Sequence, residues 1–159
     1  MQIILLKSIG GIRGKLENDA YYDILDSHGF SVSVLESLTF HCNSDEFVSL
    51  GSWRSKFGCI IFTSQRAVEA FEKAGFKDLC FAVGPATGDL AASIGFEPRG
   101  SHCATASSLA EFIVEQYKTG SPKPALFVTG EKHSSLLPQR LRENGCFLGS
   151  VLTNVLLLL

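Results

Sequence analysis

Cys59-Ile60-Ile61-Phe62-Thr63-Ser64-Gln65-Arg66-Ala67-Val68-Glu69-Ala70-Phe71 is the stretch that decides the fold. Cys59–Phe62 reads as a strand. Ser64 is a good N-cap, and the residues after it have helical spacing, with Val68 and Phe71 on one face of a helix running to Ala74. A strand leading directly into a helix is the repeating unit of an α/β protein.

Working outward, the unit recurs on the C-terminal side. Leu79–Val83 reads as a strand, followed by a helix from Pro85 to Ile94 with Ala86, Leu90 and Ile94 in one stripe. A short strand lies near Phe96–Arg99. Thr105 caps a helix to about Tyr117 that buries Leu109, Phe112 and Ile113. Ala125–Val128 is a strand, Ser134–Asn144 a helix and Cys146–Leu152 a last strand. On the N-terminal side, Ile3–Leu6 and Ser31–Leu35 read as strands. Between them Asp19–His28 reads as a helix with Tyr21, Ile24 and Leu25 on one face and Gly29 as its stop. Residues 41–57 are polar and irregular, with a short helix expected at Glu46–Leu50. Strands alternating with helices imply right-handed crossovers and a parallel sheet flanked by helices on both faces. In such sheets ligands gather beyond the carboxyl ends of the strands.

Composition narrows the function classes. The chain has 159 residues, 45% of them hydrophobic, which suits a globular core and excludes a disordered chain. A net charge of −2 gives no support for nucleic-acid binding through a general basic surface. The apolar runs Ile3–Leu6 and Val155–Leu159 are too short to serve as a signal peptide or a membrane span, so a soluble protein is expected. Five scattered cysteines, Cys42, Cys59, Cys80, Cys103 and Cys146, contain no C-x-x-C; reduced, buried thiols in a cytoplasmic protein are expected.

Three loops fall at the expected ligand edge: Thr63-Ser64-Gln65-Arg66, Gly84-Pro85-Ala86-Thr87 and Thr129-Gly130-Glu131-Lys132. Each joins small or hydroxylated residues to a helix start. Together they would form a concave surface rich in N–H and O–H donors, which suits an anion. Ordinary strand-to-helix caps have the same composition. Other patterns fail on chemistry. Gly10-Gly11-Ile12-Arg13-Gly14-Lys15-Leu16 is one residue short of a phosphate loop, and Leu16 has no hydroxyl for a metal. His41-Cys42 and His102-Cys103 are adjacent pairs, not spaced to converge on one ion, so no metal site is expected. No acidic residue ends the strands at Phe62 and Val128, and no Ser-His-Asp or Cys-His arrangement emerges from spacing. No catalytic residue is assigned.

Ile60–Ala70 resembles the FTSxRAVEA stretch of animal-type uroporphyrinogen-III synthases. Phe81–Thr87 is similar to that family's VGxAT segment, and Ile94-Gly95 follows as the family has it. Ser108–Ile113 is similar to its LAEYI helix, Leu137-Pro138 and Leu141 to its ILPxxL helix, and Ile4–Lys7 and Leu38–Phe40 to its N-terminal region. The matches run in order from Met1 to about Val151.

The resemblance implies one complete flavodoxin-like domain over residues 37–151. It also implies the N-terminal βαβ piece of a second domain over residues 1–36, with 152–159 as a divergent apolar tail. It implies a substrate, hydroxymethylbilane, a linear tetrapyrrole polycarboxylate, held between two domains of a full-length monomer. No metal or organic cofactor, no membrane and no nucleic acid is implied. Thr63, Ser64, Gln65, Arg66, Gly84, Pro85, Thr87, Thr129, Gly130 and Lys132 become the substrate-facing residues. The family continues past the segment matching Ser150-Val151, where its tyrosine stands; here Leu152-Thr153-Asn154-Val155 and four leucines follow, which implies a C-terminally shortened form. Three readings follow: the synthase, a non-catalytic tetrapyrrole-binding or regulatory fragment, and an unrelated nucleotide-binding flavodoxin-like domain.

Overall fold

A computed structural model describes residues 1–7, 19–36, 38–40, 53–72, 78–117, 123–130, 134–153 and 155–157. The chain divides into two compact units, Met1–Cys42 with Asn154–Leu159, and Asn43–Thr153. These units end at 42/43 and 153/154, beside the 36/37 and 151/152 limits expected for the family's domains. The division has a backbone cause. Leu38–Phe40 pairs antiparallel with Val155–Leu157, so both segments leave the large sheet and belong with the first unit.

In the first unit β1 (Gln2–Lys7) pairs in parallel with β2 (Ser31–Glu36), joined through α1 (Ala20–Ser27). Asp19 starts the helix: one carboxylate oxygen accepts the N–H groups of Tyr21 and Tyr22, both at 3.1 Å, and the other pairs with the Lys7 ammonium. β3 (Leu38–Phe40) and β9 (Val155–Leu157) form the separate two-stranded ladder. Burial alternates along β1, with Ile3 and Leu5 half-buried and Ile4 and Leu6 about 60% exposed. On α1 the less exposed face is Tyr22 and Leu25. The expected stripe of Tyr21, Ile24 and Leu25 is corrected, because Tyr21 and Ile24 lie in solvent.

The second unit is a five-stranded parallel sheet ordered β6-β5-β4-β7-β8. Its strands are β4 (Cys59–Phe62), β5 (Leu79–Ala82), β6 (Glu97–Arg99), β7 (Ala125–Gly130) and β8 (Leu148–Thr153). A one-turn helix, α2 (Trp53–Lys56), precedes β4. The connections are α3 (Gln65–Glu72), α4 (Pro85–Ser93), α5 (Ala106–Tyr117) and α6 (Leu136–Glu143). Counted along the chain, the spatial order is third, second, first, fourth, fifth. That is the dinucleotide-fold order, not the flavodoxin order 2-1-3-4-5, so the flavodoxin-like expectation is corrected. After β4 the chain winds outward through β5 and β6, then returns to the other side of β4 for β7 and β8.

Right-handed crossovers in opposite directions put the helices on opposite faces. Accordingly α3 packs on α4, and α5 on α6. Under α5 and α6 lie Cys59, Ile61, Phe81 and Phe127, closed by Leu109, Ile113, Leu137 and Leu141. The remaining buried residues include a ring cluster of Phe62, Phe71 and Phe96, whose centroids stand 5.3–6.2 Å apart edge to face. Such contacts add about 0.5–1.5 kcal/mol per pair beyond burial. The stripe expected on α4 is also corrected: Ala86 is exposed, and the buried face runs through Thr87, Gly88, Leu90 and Ala91. A small-residue face lets α4 lie close to its neighbours. The expected helix at Glu46–Leu50 and the Gly10–Lys15 loop lie outside the described residues.

Cys59, Cys80, Cys103 and Cys146 are buried, unbridged thiols, while Cys42 lies outside the described residues. Burial, helped by neighbouring Cys59, pushes the Cys80 thiol from its ordinary 9.0 up to about 12. The folded state thus holds this proton more tightly than the unfolded chain. The stability it contributes is complete below pH 9 and is lost as pH rises from 9 towards 12. Urea midpoints taken from pH 8 to 10.5 should fall with a component of up to about 1.4 kcal/mol per pH unit above pH 9. That component should be missing in Cys80→Ala; parallel pH profiles for the two proteins would contradict it.

Candidate functional site

A doubly wound sheet has one place where neighbouring crossovers leave in opposite directions. Here it lies between β4 and β7, at their carboxyl ends. The Thr63–Arg66 loop follows β4, and the segment beginning Thr129-Gly130 ends β7, so these two flank the switch point. Gly84–Thr87 follows β5, one strand away, on the same edge. Topology thus brings all three expected loops to one sheet edge. Lys132 lies outside the described residues.

The individual side chains differ in what they can offer. The Ser64 hydroxyl accepts the Ala67 N–H at 3.3 Å and is used as the cap of α3. Thr63 and Gln65 are half-buried. Arg66 is half-buried and donates from Nη1 to Oε2 of Glu69 at 2.7 Å. Thr129 is buried, and its hydroxyl donates to the Gly130 carbonyl at 3.3 Å. Thr87 is buried in the first turn of α4, while Pro85 is exposed. Pro85 is the first residue of α4, where its missing N–H costs nothing. The polar groups at this edge are chiefly the first-turn N–H groups of α3, α4 and α6, of which Ala67 and Leu136 are capped by Ser64 and Ser134, together with Gln65 and Arg66.

Gly84 makes its turn in a backbone region that is open only to glycine, φ 75° and ψ 157°. Its N–H donates to the Cys103 carbonyl at 2.9 Å, which ties the loop after β5 to the loop after β6. Sequence reasoning missed this fourth segment, Ser101–Cys103. The available signal was Gly88: a Cβ there would stand 2.1 Å from Ser101 Oγ, so α4 lies this close to the Ser101 segment only because residue 88 has no side chain. The rejected pair His102-Cys103 is split by the turn. Cys103 is buried, and the exposed His102 ring stands edge-on to Phe112 with centroids 5.0 Å apart. Among the described residues no group of three His, Cys, Asp or Glu converges on a metal position.

Fold and edge together define a doubly wound α/β protein whose strand-to-helix loops gather at the switch-point edge of its sheet. The chain belongs to the uroporphyrinogen-III synthase HemD family, whose model matches residues 19–151. A curated relative, the uroporphyrinogen-III synthase of Schizosaccharomyces pombe, is 28% identical over 142 residues, which are 79% of this chain and 57% of that protein. The chain therefore spans a little over half the length of this relative. A mutant uroporphyrinogen III synthase from the extremely thermophilic bacterium Thermus thermophilus has a similar fold, with a TM-score of 0.56 at 14% identity, covering 98% of this chain and 64% of that one.

Two substitutions test the loop geometry. Gly84→Ala meets no neighbouring atom within 4 Å, yet should cost about 1–3 kcal/mol through backbone strain alone. Gly88→Ala should destabilise through the Ser101 contact, and Ser101→Gly should restore most of the loss. Chemical denaturation of the single and double variants measures both effects; a Gly88→Ala loss untouched by Ser101→Gly would place the strain elsewhere.

Proposed function

We propose that this chain carries the substrate crevice of a uroporphyrinogen-III synthase and acts on hydroxymethylbilane in the cytoplasm as a monomer. The observation that carries the reading is the family match over residues 19–151, which includes all three loops of the switch-point edge. The reaction removes water from the terminal hydroxymethyl group, inverts ring D through a spiro intermediate and closes the macrocycle. Its substrate is a flexible polycarboxylate. N–H groups at helix starts and the Arg66 guanidinium are the donors such a ligand requires. Thr63 and Gln65 extend that surface. Thr87 and Thr129, being buried, shape the loops that present it. Lys132 is assigned to the same rim from the sequence.

Among the described residues this edge carries no nucleophile–base pair and no metal cluster. In this reading catalysis comes from holding the chain ends of the substrate in the closing geometry, a term worth up to about 7–11 kcal/mol in ideal cases. The chain spans only 57% of the length of its curated relative. That observation favours a second reading for the chain by itself: a tetrapyrrole-binding fragment without turnover.

A coupled assay with hydroxymethylbilane separates the two. Ring closure without inversion occurs unaided and yields the I isomer, so isomers must be scored, not total product. A clear excess of the III isomer over the uncatalysed mixture is the outcome of the synthase reading; uroporphyrin binding with no III excess is the outcome of the fragment reading. In either case Arg66→Ala should weaken uroporphyrin binding while the melting temperature stays nearly unchanged. Equal loss of both would make Arg66 a structural residue.

A further inference from the structure

We draw no further inference here: the strongest candidate, the exposed apolar sheet face of Ile4, Leu6 and Leu35 on β1 and β2 of the first unit, carries nothing, because nothing in the structure shows what covers it.

Discussion

Strand β4 is the element on which the second unit depends. Its four residues Cys59, Ile60, Ile61 and Phe62 are all at most 3% exposed, because it lies between β5 and β7 with helices over both faces. Both windings of the sheet begin beside it, one through β5 and β6 and the other through β7 and β8. A parallel strand can be this buried only when crossovers supply a helix layer on each side. The same reversal that covers β4 on both faces opens the crevice at its carboxyl end. Burial of the core and placement of the site are one topological event.

The donors collected at that crevice differ in how firmly they are held. The first-turn N–H groups of α3, α4 and α6 are fixed by the backbone, and the turn at Gly84 is fastened to the next loop by its bond to Cys103. Arg66, in the first turn of α3, is paired through Nη1 with Glu69 one turn on.

The first unit follows the same rules with fewer layers. β1, α1 and β2 make one parallel crossover, stitched by Asp19, which caps α1 and pairs with Lys7 at the end of β1. One helix covers one face. Ile3, Leu5, Val32 and Val34 are half-buried, while Ile4, Leu6 and Leu35 stand largely in solvent. Of the large apolar side chains exposed among the described residues, most belong to this unit; Leu136 and Phe147 are the exceptions. Parallel pairs are ordinarily covered on both sides.

The sequence by itself determined the order of strands and helices, the parallel character of the sheet and the edge on which the three loops gather. These follow from local periodicity, from caps such as Ser64 and Thr105, and from the handedness of crossovers. It did not reveal that β6 lies outermost beyond β5, since the choice between the two doubly wound orders depends on which side of β4 each later strand packs. Nor did it reveal the pairing of Leu38–Phe40 with Val155–Leu157, a contact between segments more than a hundred residues apart with no local signal. Tertiary structure also decided which polar residues are available. Thr87 and Thr129 carry the hydroxyls that an anion site wants, yet both are buried, and Arg66 arrives already bound to Glu69. Residue type and spacing state what a side chain can do; only packing states which way it faces and what has already claimed it.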